Sequence, residues 1–243
     1  MSESWIVMLE IYKASCENVR ELKSKRKILN KIINRTIREG SDTELEALTK
    51  LYALLFSAYA EVSFLKLINT PYGFTQDEID EIQKQRNLEE KWLMCFDFCF
   101  KKIINATNLG EVANKQKRLR EILDSYIIAP SRIRNKIAHG QWKVCLNNQC
   151  DGLNAQITID VQQLDCVRID VFFEIYERFQ QCVEDLIESV RTHYRDYYTR
   201  IVDLEEYIEK TKGWNLESKT KSILESEKYK RENNKCMRNN KSL

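Results

Sequence analysis

The chain predicts a mainly α-helical bundle carrying one small β-hairpin, on three observations. Only 6 glycines and 2 prolines occur in 243 residues, far fewer than a turn-rich domain uses. Most of the length repeats apolar residues at three- and four-residue spacing, the pattern of a helix with one buried stripe. Between Trp142 and Asp160 an alternating pattern replaces it, which is the period of a strand. A hydrophobic content of 43% over this length can bury one sizeable core.

Residues 4–38 predict one long helix or two joined ones, stopped by Gly40. Ser41-Asp42-Thr43-Glu44 has the form of a capping box that opens the next helix. That helix repeats Leu45, Leu48, Tyr52, Leu55, Tyr59 and Val62, and it ends near Thr70-Pro71 because the residue before a proline disfavours helical angles. Thr75-Gln76-Asp77-Glu78 is a second capping box, starting a helix that carries Ile79, Ile82, Leu88, Trp92, Cys95, Cys99 and Ile103. Asn108 can cap a further helix running to Ile128 and closed by Pro130. Ser131 then caps a short helix that stops at Gly140. Val144, Leu146, Ile157 and Ile159 alternate about the turn signal Asp151-Gly152 and predict the hairpin. From about Asp165 to Lys212 one long helix is expected, with Phe172, Ile175, Phe179, Cys182, Leu186 and Val190 at core spacing. The resulting division is an N-terminal helical segment (1–40) packed on the bundle, a helical domain (41–212), and a charged, basic, flexible tail (213–243), either a frayed helix or disordered.

Several function classes fall away at this level. No apolar run approaches the roughly 18 residues of a membrane span, and the N-terminus lacks a basic leader, so a cytoplasmic protein without membrane contact is expected. The formal net charge of +2 gives no general attraction to polyanions. Positive charge is concentrated in two places. One is the run Arg20, Lys23, Lys25, Arg26, Lys27, Lys31, Arg35 and Arg38, and the other is the stretch beyond Gly213, with eight Lys/Arg against four Asp/Glu. Such runs are usually solvated helix faces; as nucleic-acid contacts, Lys25, Arg26 and Lys27 are the candidates. No Gly-rich phosphate loop and no H-E-x-x-H helix occurs. The eight cysteines read as reduced, buried thiols. A zinc site from Cys95, Cys99, Cys145 and Cys150 is the weakest alternative, because neither pair has the usual ligand spacing. No metal site and no cofactor is expected.

The chemistry-bearing segment is Arg134-Asn135-Lys136-Ile137-Ala138-His139-Gly140, which holds one of only 2 histidines. Histidine exchanges protons near neutral pH, and arginine presents a planar, permanently charged donor fork to a phosphate. At about 100° per residue, Asn135 and His139 share a face with roughly a 40° offset, while Arg134 lies about 140° from His139 and flanks it. One short helix therefore makes an incomplete phosphate site, which two copies across a two-fold axis would complete. His193, on a basic polar stretch, reads as surface.

The R-N-x-x-x-H-G arrangement resembles the ribonuclease motif of the HEPN superfamily, α-helical domains common in prokaryotic toxins and antiviral effectors. The resemblance covers about residues 41–200 and is carried by the motif, by its position late in a helical chain, and by Glu61 on the earlier helix Ala58–Leu67. It implies a metal-independent endoribonuclease, acting on RNA as a homodimer in a toxin or antiphage-defence setting, with an inhibitory partner protein. His139 would move the proton of a ribose 2′-hydroxyl or of the leaving 5′-oxygen, Arg134 would stabilise charge on phosphorus, Asn135 would orient, and Glu61 would either support Arg134 or be solvated. Some members carry a tyrosine two residues after the histidine; Gln141 stands there, so regulation by tyrosine modification is not implied. The rival reading is a non-catalytic HEPN scaffold for dimerisation, nucleotide binding or partner binding, which a cleft blocked by Trp142 or by the hairpin would favour.

Overall fold

The computed structural model describes residues 3–103, 109–188 and 193–239. It is mostly helical, in the order α1 (Glu3–Glu39), α2 (Asp42–Ile68), α3 (Gln76–Gln83), α4 (Leu88–Ile103), α5 (Leu109–Leu123), a π turn (Asp124–Ile128), α6 (Ala129–Ala138), α7 (Ala155–Gln162), α8 (Cys166–Glu188), α9 (His193–Thr211) and α10 (Leu216–Asn239). The expected cap Asn108 and the expected core residue Val190 lie outside the described residues, as do the side chains of His193 and Cys236.

Helix α2 sits at the centre and packs against α1, α6 and α8. Its buried residues include Tyr52, Phe56, Ala60 and Leu67 but also Ala53, Ser57 and Phe64, so burial extends well beyond the single stripe expected. By length and composition it is also apolar enough to cross a membrane, with a mean hydropathy of 1.5 over its most apolar window, of which 56% is buried inside the protein. The span test on sequence missed this because polar residues interrupt the apolar run. Against α2, helices α4 and α8 contribute a cluster of rings. Trp92 is fully buried and lies 4.6 Å from Phe64 and 5.2 Å from Phe179, centroid to centroid. Edge-on ring pairs of this kind add to the area they bury.

Polar groups then lock α1 and α8 onto α2. Asp170 of α8 accepts hydrogen bonds from the Tyr52 hydroxyl, from Asn30 (3.0 Å) and from Arg26 (2.9 Å). The Arg26 guanidinium also pairs with Glu174 at 2.9 Å and lies over the Phe173 ring. Arg26 is thus an internal ligand of the fold. Lys50 of α2 is buried and donates to the Val161 carbonyl at the end of α7 (2.6 Å); burial lowers its pKa.

Several boundaries differ from expectation. Residues 4–38 form one helix. The Thr75–Glu78 box is present, with reciprocal bonds of 2.8 and 3.3 Å, whereas Ser41 caps α2 without a side-chain bond. The helix expected from Thr75 to Ile103 breaks into α3 and α4, because Asn87 caps the Glu90 amide (2.9 Å). The single helix expected over 165–212 is an antiparallel pair. Arg178 bonds Asp203 while Arg200 bonds Asp185, which requires α9 to run back along α8. The apolar period continues through both helices and so concealed the reversal.

The hairpin is overturned. Among the described residues the only β pairing is one antiparallel bridge, Leu146 to Leu153. The Asp151-Gly152 turn forms, with the Asn147 amide donating to the Gly152 carbonyl (2.8 Å). The second arm is instead α7, because the Asn154 side chain caps the Ile157 amide (3.1 Å) and Val161 is buried one turn beyond Ile157. Of the two expectations for the tail, a frayed helix or disorder, the helix is found: α10 is opened by Asn215 capping Ser218 (2.9 Å), with Leu216 and Ile223 packed on the core.

Burial alone would raise the pKa of Asp170, but hydrogen bonds from Tyr52 and Asn30 and the Arg26 charge outweigh it and hold the carboxyl below its usual value. A depressed carboxyl contributes stability that is present above the unfolded-state pKa of about 3.9 and is lost as pH falls through the lower folded value. Asp170→Asn should therefore cost about 2–3 kcal/mol in urea unfolding at pH 7, with the gap to the parent protein narrowing below about pH 4. A pH-independent gap would mean that the charge of Asp170 contributes nothing.

Candidate active site on the Arg134–His139 helix

The orientation of α6 depends on Pro130. Inside an α-helix a proline orphans the carbonyl four residues back and its ring collides with that turn. The chain absorbs this without ending the helix. The Ala129 amide bonds to the Asp124 carbonyl, five residues back, a widened π turn that joins α5 to α6. Ser131 accordingly sits inside the helix and does not cap it. Pro130 and Ile137 are buried and Ile133 is partly buried, so the opposite side of α6 faces outward.

The end of α6 is set by Gly140 at φ +76, a left-handed angle that glycine adopts without penalty. It allows the Gly140 amide to bond Ile137 O (3.0 Å) and the Gln141 amide to bond Lys136 O (2.9 Å), the paired closure of a Schellman motif. His139 is the C-cap residue, exposed, and among the described residues its ring has no hydrogen-bond partner.

The motif side chains divide between two adjoining clefts. His139 lines the larger, about 1170 Å³, with Lys136, Asn147, Asn148, Gln149 and Asn154. Arg134 lines the smaller, about 460 Å³, with Glu61, Arg86 and Asn87. Arg132 and Asn135 line both, so they form the ridge between them. Arg134 and His139 are therefore not in one pocket of a single chain, in keeping with their angular separation on the helix.

Each cleft has its own electrostatics. In the smaller one, the Arg134 fork pairs with Glu61 of α2 and its Nε is buried without a partner, while Arg132 pairs with Glu89 at 2.9 Å. Among the described residues no carboxylate lines the larger cleft, whose cations are Lys136 and the Glu89-paired Arg132 and whose other walls are largely side-chain amides. Lys136 donates to the Leu146 carbonyl (2.7 Å) and Gln141 accepts from the Leu146 amide (2.8 Å), which pins the amide-bearing loop beside His139. Trp142 does not line this cleft; its indole N–H donates to the Ile137 carbonyl (2.9 Å).

Sequence reasoning missed Arg132, Lys136 and the loop amides. Arg132 was legible as a second cation two residues before Arg134, but nothing in the sequence shows that Asn147–Gln149 fold back toward His139. Of the other candidates, Lys25 pairs with Glu21 at 2.7 Å, Arg26 is held by Asp170, and Lys27 lines a different cavity; none lines either motif cleft. Cys95, Cys99 and Cys145 are buried and Cys150 is exposed. Among the described residues no group of three or more His, Cys, Asp or Glu is gathered so as to hold a metal ion. No family model, no curated protein and no solved structure matches the chain.

Because Glu61 is more than half exposed, its pair with Arg134 should contribute little stability. Glu61→Gln is expected to change the denaturant midpoint by less than about 1 kcal/mol. A loss of several kcal/mol would make the pair a structural necessity.

Proposed function

We propose that the chain is a metal-independent endoribonuclease of HEPN type, in which His139 transfers protons and Arg134 stabilises the transferring phosphate. The observation that carries this reading is the His139 cleft: an exposed imidazole beside Lys136, the Glu89-paired Arg132 and a wall of amides, with no carboxylate among its described lining residues. In the reaction the 2′-hydroxyl loses its proton to a base, its oxygen attacks phosphorus, and the 5′-oxygen leaves with a proton. A 2′,3′-cyclic phosphate remains. His139 is suited to one of the two proton transfers, and Arg132 and Arg134 to the negative charge that builds on phosphorus. The 2′-hydroxyl requirement restricts the substrate to RNA. Arg134 and His139 occupy neighbouring clefts, so a second copy related by a two-fold axis, presenting the same helix, would supply the missing side of each. The toxin or antiphage-defence setting, with an inhibitory partner protein, is what the HEPN resemblance implies.

A second reading rests on the Arg134–Glu61 pair. A fork committed to α2 through a carboxylate can serve as a strut, and the helix would then be a non-catalytic scaffold for dimerisation or binding.

His139→Ala and Arg134→Ala should each lower RNA cleavage by about two or more orders of magnitude while leaving helix content unchanged. Cleavage by the parent protein should persist in excess EDTA. Parent-like cleavage by His139→Ala in a nuclease-free preparation would leave the scaffold reading. The composite site also predicts a dimer at micromolar concentration in sedimentation velocity; a fully active monomer would contradict it.

A further inference from the structure

The two basic runs, far apart in sequence, meet in space. Helix α10 packs against α1 and α8, and together with Tyr207 of α9 they enclose a cavity of about 830 Å³. It shares no lining residue with either motif cleft. Its volume is that of a small-molecule site, roughly 300–1,000 Å³.

The floor is rigid and internally neutralised. Arg26 is anchored to Asp170 and Glu174, and Lys23 is 3.0 Å from Glu177. The rim is not. Lys27 has no ion-pair partner among the described residues, although it lines the cavity. Lys219, on the facing helix, stands 3.8 Å from Asp170 Oδ2, while Tyr52, Asn30 and Arg26 bond the other oxygen, Oδ1. The lining thus carries four cations, Lys23, Arg26, Lys27 and Lys219, against the three carboxylates Asp170, Glu174 and Glu177, and the surplus positive charge lies at the rim, where Lys27 faces Lys219. Beside them Trp214 is 48% exposed, and its indole meets the Tyr207 ring at 77° with centroids 6.4 Å apart. That contact fixes the indole while nearly half of it remains open.

We propose that this cavity binds an anion carrying a planar ring, with the ring stacked on Trp214 and the anionic group held between Lys27 and Lys219. A nucleoside monophosphate has both parts at the right size, and base–aromatic stacking and charge-assisted bonds to phosphate are the interactions these residues offer. The site is separate from the RNA cleft, so it stands whether or not the chain cleaves RNA.

The test is titration calorimetry of the full chain with adenosine 5′-monophosphate, and with adenosine and inorganic phosphate as separate arms. The nucleotide should bind saturably, one per chain, with a Kd below about 1 mM, and each half-ligand should bind at least about tenfold more weakly. Trp214→Leu should weaken nucleotide binding by about tenfold or more, and Lys27→Gln by about tenfold. Both residues lie on the rim, and unchanged circular dichroism verifies that the variants fold. His139→Ala should leave the affinity unchanged. Absence of saturable binding, parent-like affinity in both rim variants, or loss of binding in His139→Ala would each overturn the proposal, the last by moving the nucleotide to the motif cleft.

Discussion

Helix α2 must be covered on several sides at once, and the bundle is arranged around that requirement. A 27-residue helix with 13 buried residues needs more than one partner helix, because each buried apolar side chain is worth about 1.5–3 kcal/mol. Helices α1, α6 and α8 therefore surround it. Three polar groups of α2 find partners on other helices: the Tyr52 hydroxyl bonds Asp170, the Lys50 ammonium the Val161 carbonyl, and Lys66 Glu184 at 2.8 Å. The same burial that selects α2 as the axis thereby fixes where α1, α7 and α8 attach.

The candidate site inherits its geometry from that axis. Helix α6 buries Pro130 and Ile137 and its Arg134 reaches Glu61 on α2, so its outward face is decided by what it buries. The π turn before it lets a proline sit inside a continuous helical run. Without that widening, the helix would stop before Pro130 and the motif residues would face elsewhere. Gly140 ends the helix immediately after His139 and turns the chain back, bringing the amide-bearing loop beside the imidazole. The exposed imidazole and the amide wall are thus supplied by residues within about one helical turn and one loop of each other.

Charge is handled differently at the two ends of the molecule. Lys23 and Arg26 of α1 are met by Asp170, Glu174 and Glu177 of α8, while Arg20, Lys25 and Arg35 pair with glutamates of α1 itself, so a run that looks basic in sequence is in good part neutralised. Around His139 the cations Arg132 and Lys136 face no lining carboxylate. Local composition would have ranked these regions in the opposite order. Even beside His139, Arg132 is paired with Glu89 in the adjoining cleft and Lys136 is bonded to a backbone carbonyl, so pairing is a property of packing.

Helical class, the Thr75–Glu78 start, the stop at Gly140 and the membership of the motif were legible in the sequence because each depends on residues within about four positions of one another. The breaks at Asn87 and between α8 and α9 were not, since apolar periodicity continues unchanged across them. The false hairpin arose because Ile157 and Ile159 alternate, and alternation over a few residues does not separate a strand from a capped helix. In the site, Arg134, Asn135 and His139 could be named from spacing, and the separation of Arg134 from His139 followed from helical geometry. Tertiary structure alone placed Glu61 on Arg134, withdrew Arg26 into the core, and folded Asn147–Gln149 toward His139. Those outcomes join segments dozens of residues apart, and they are decided by which surfaces α2 compels the chain to bury.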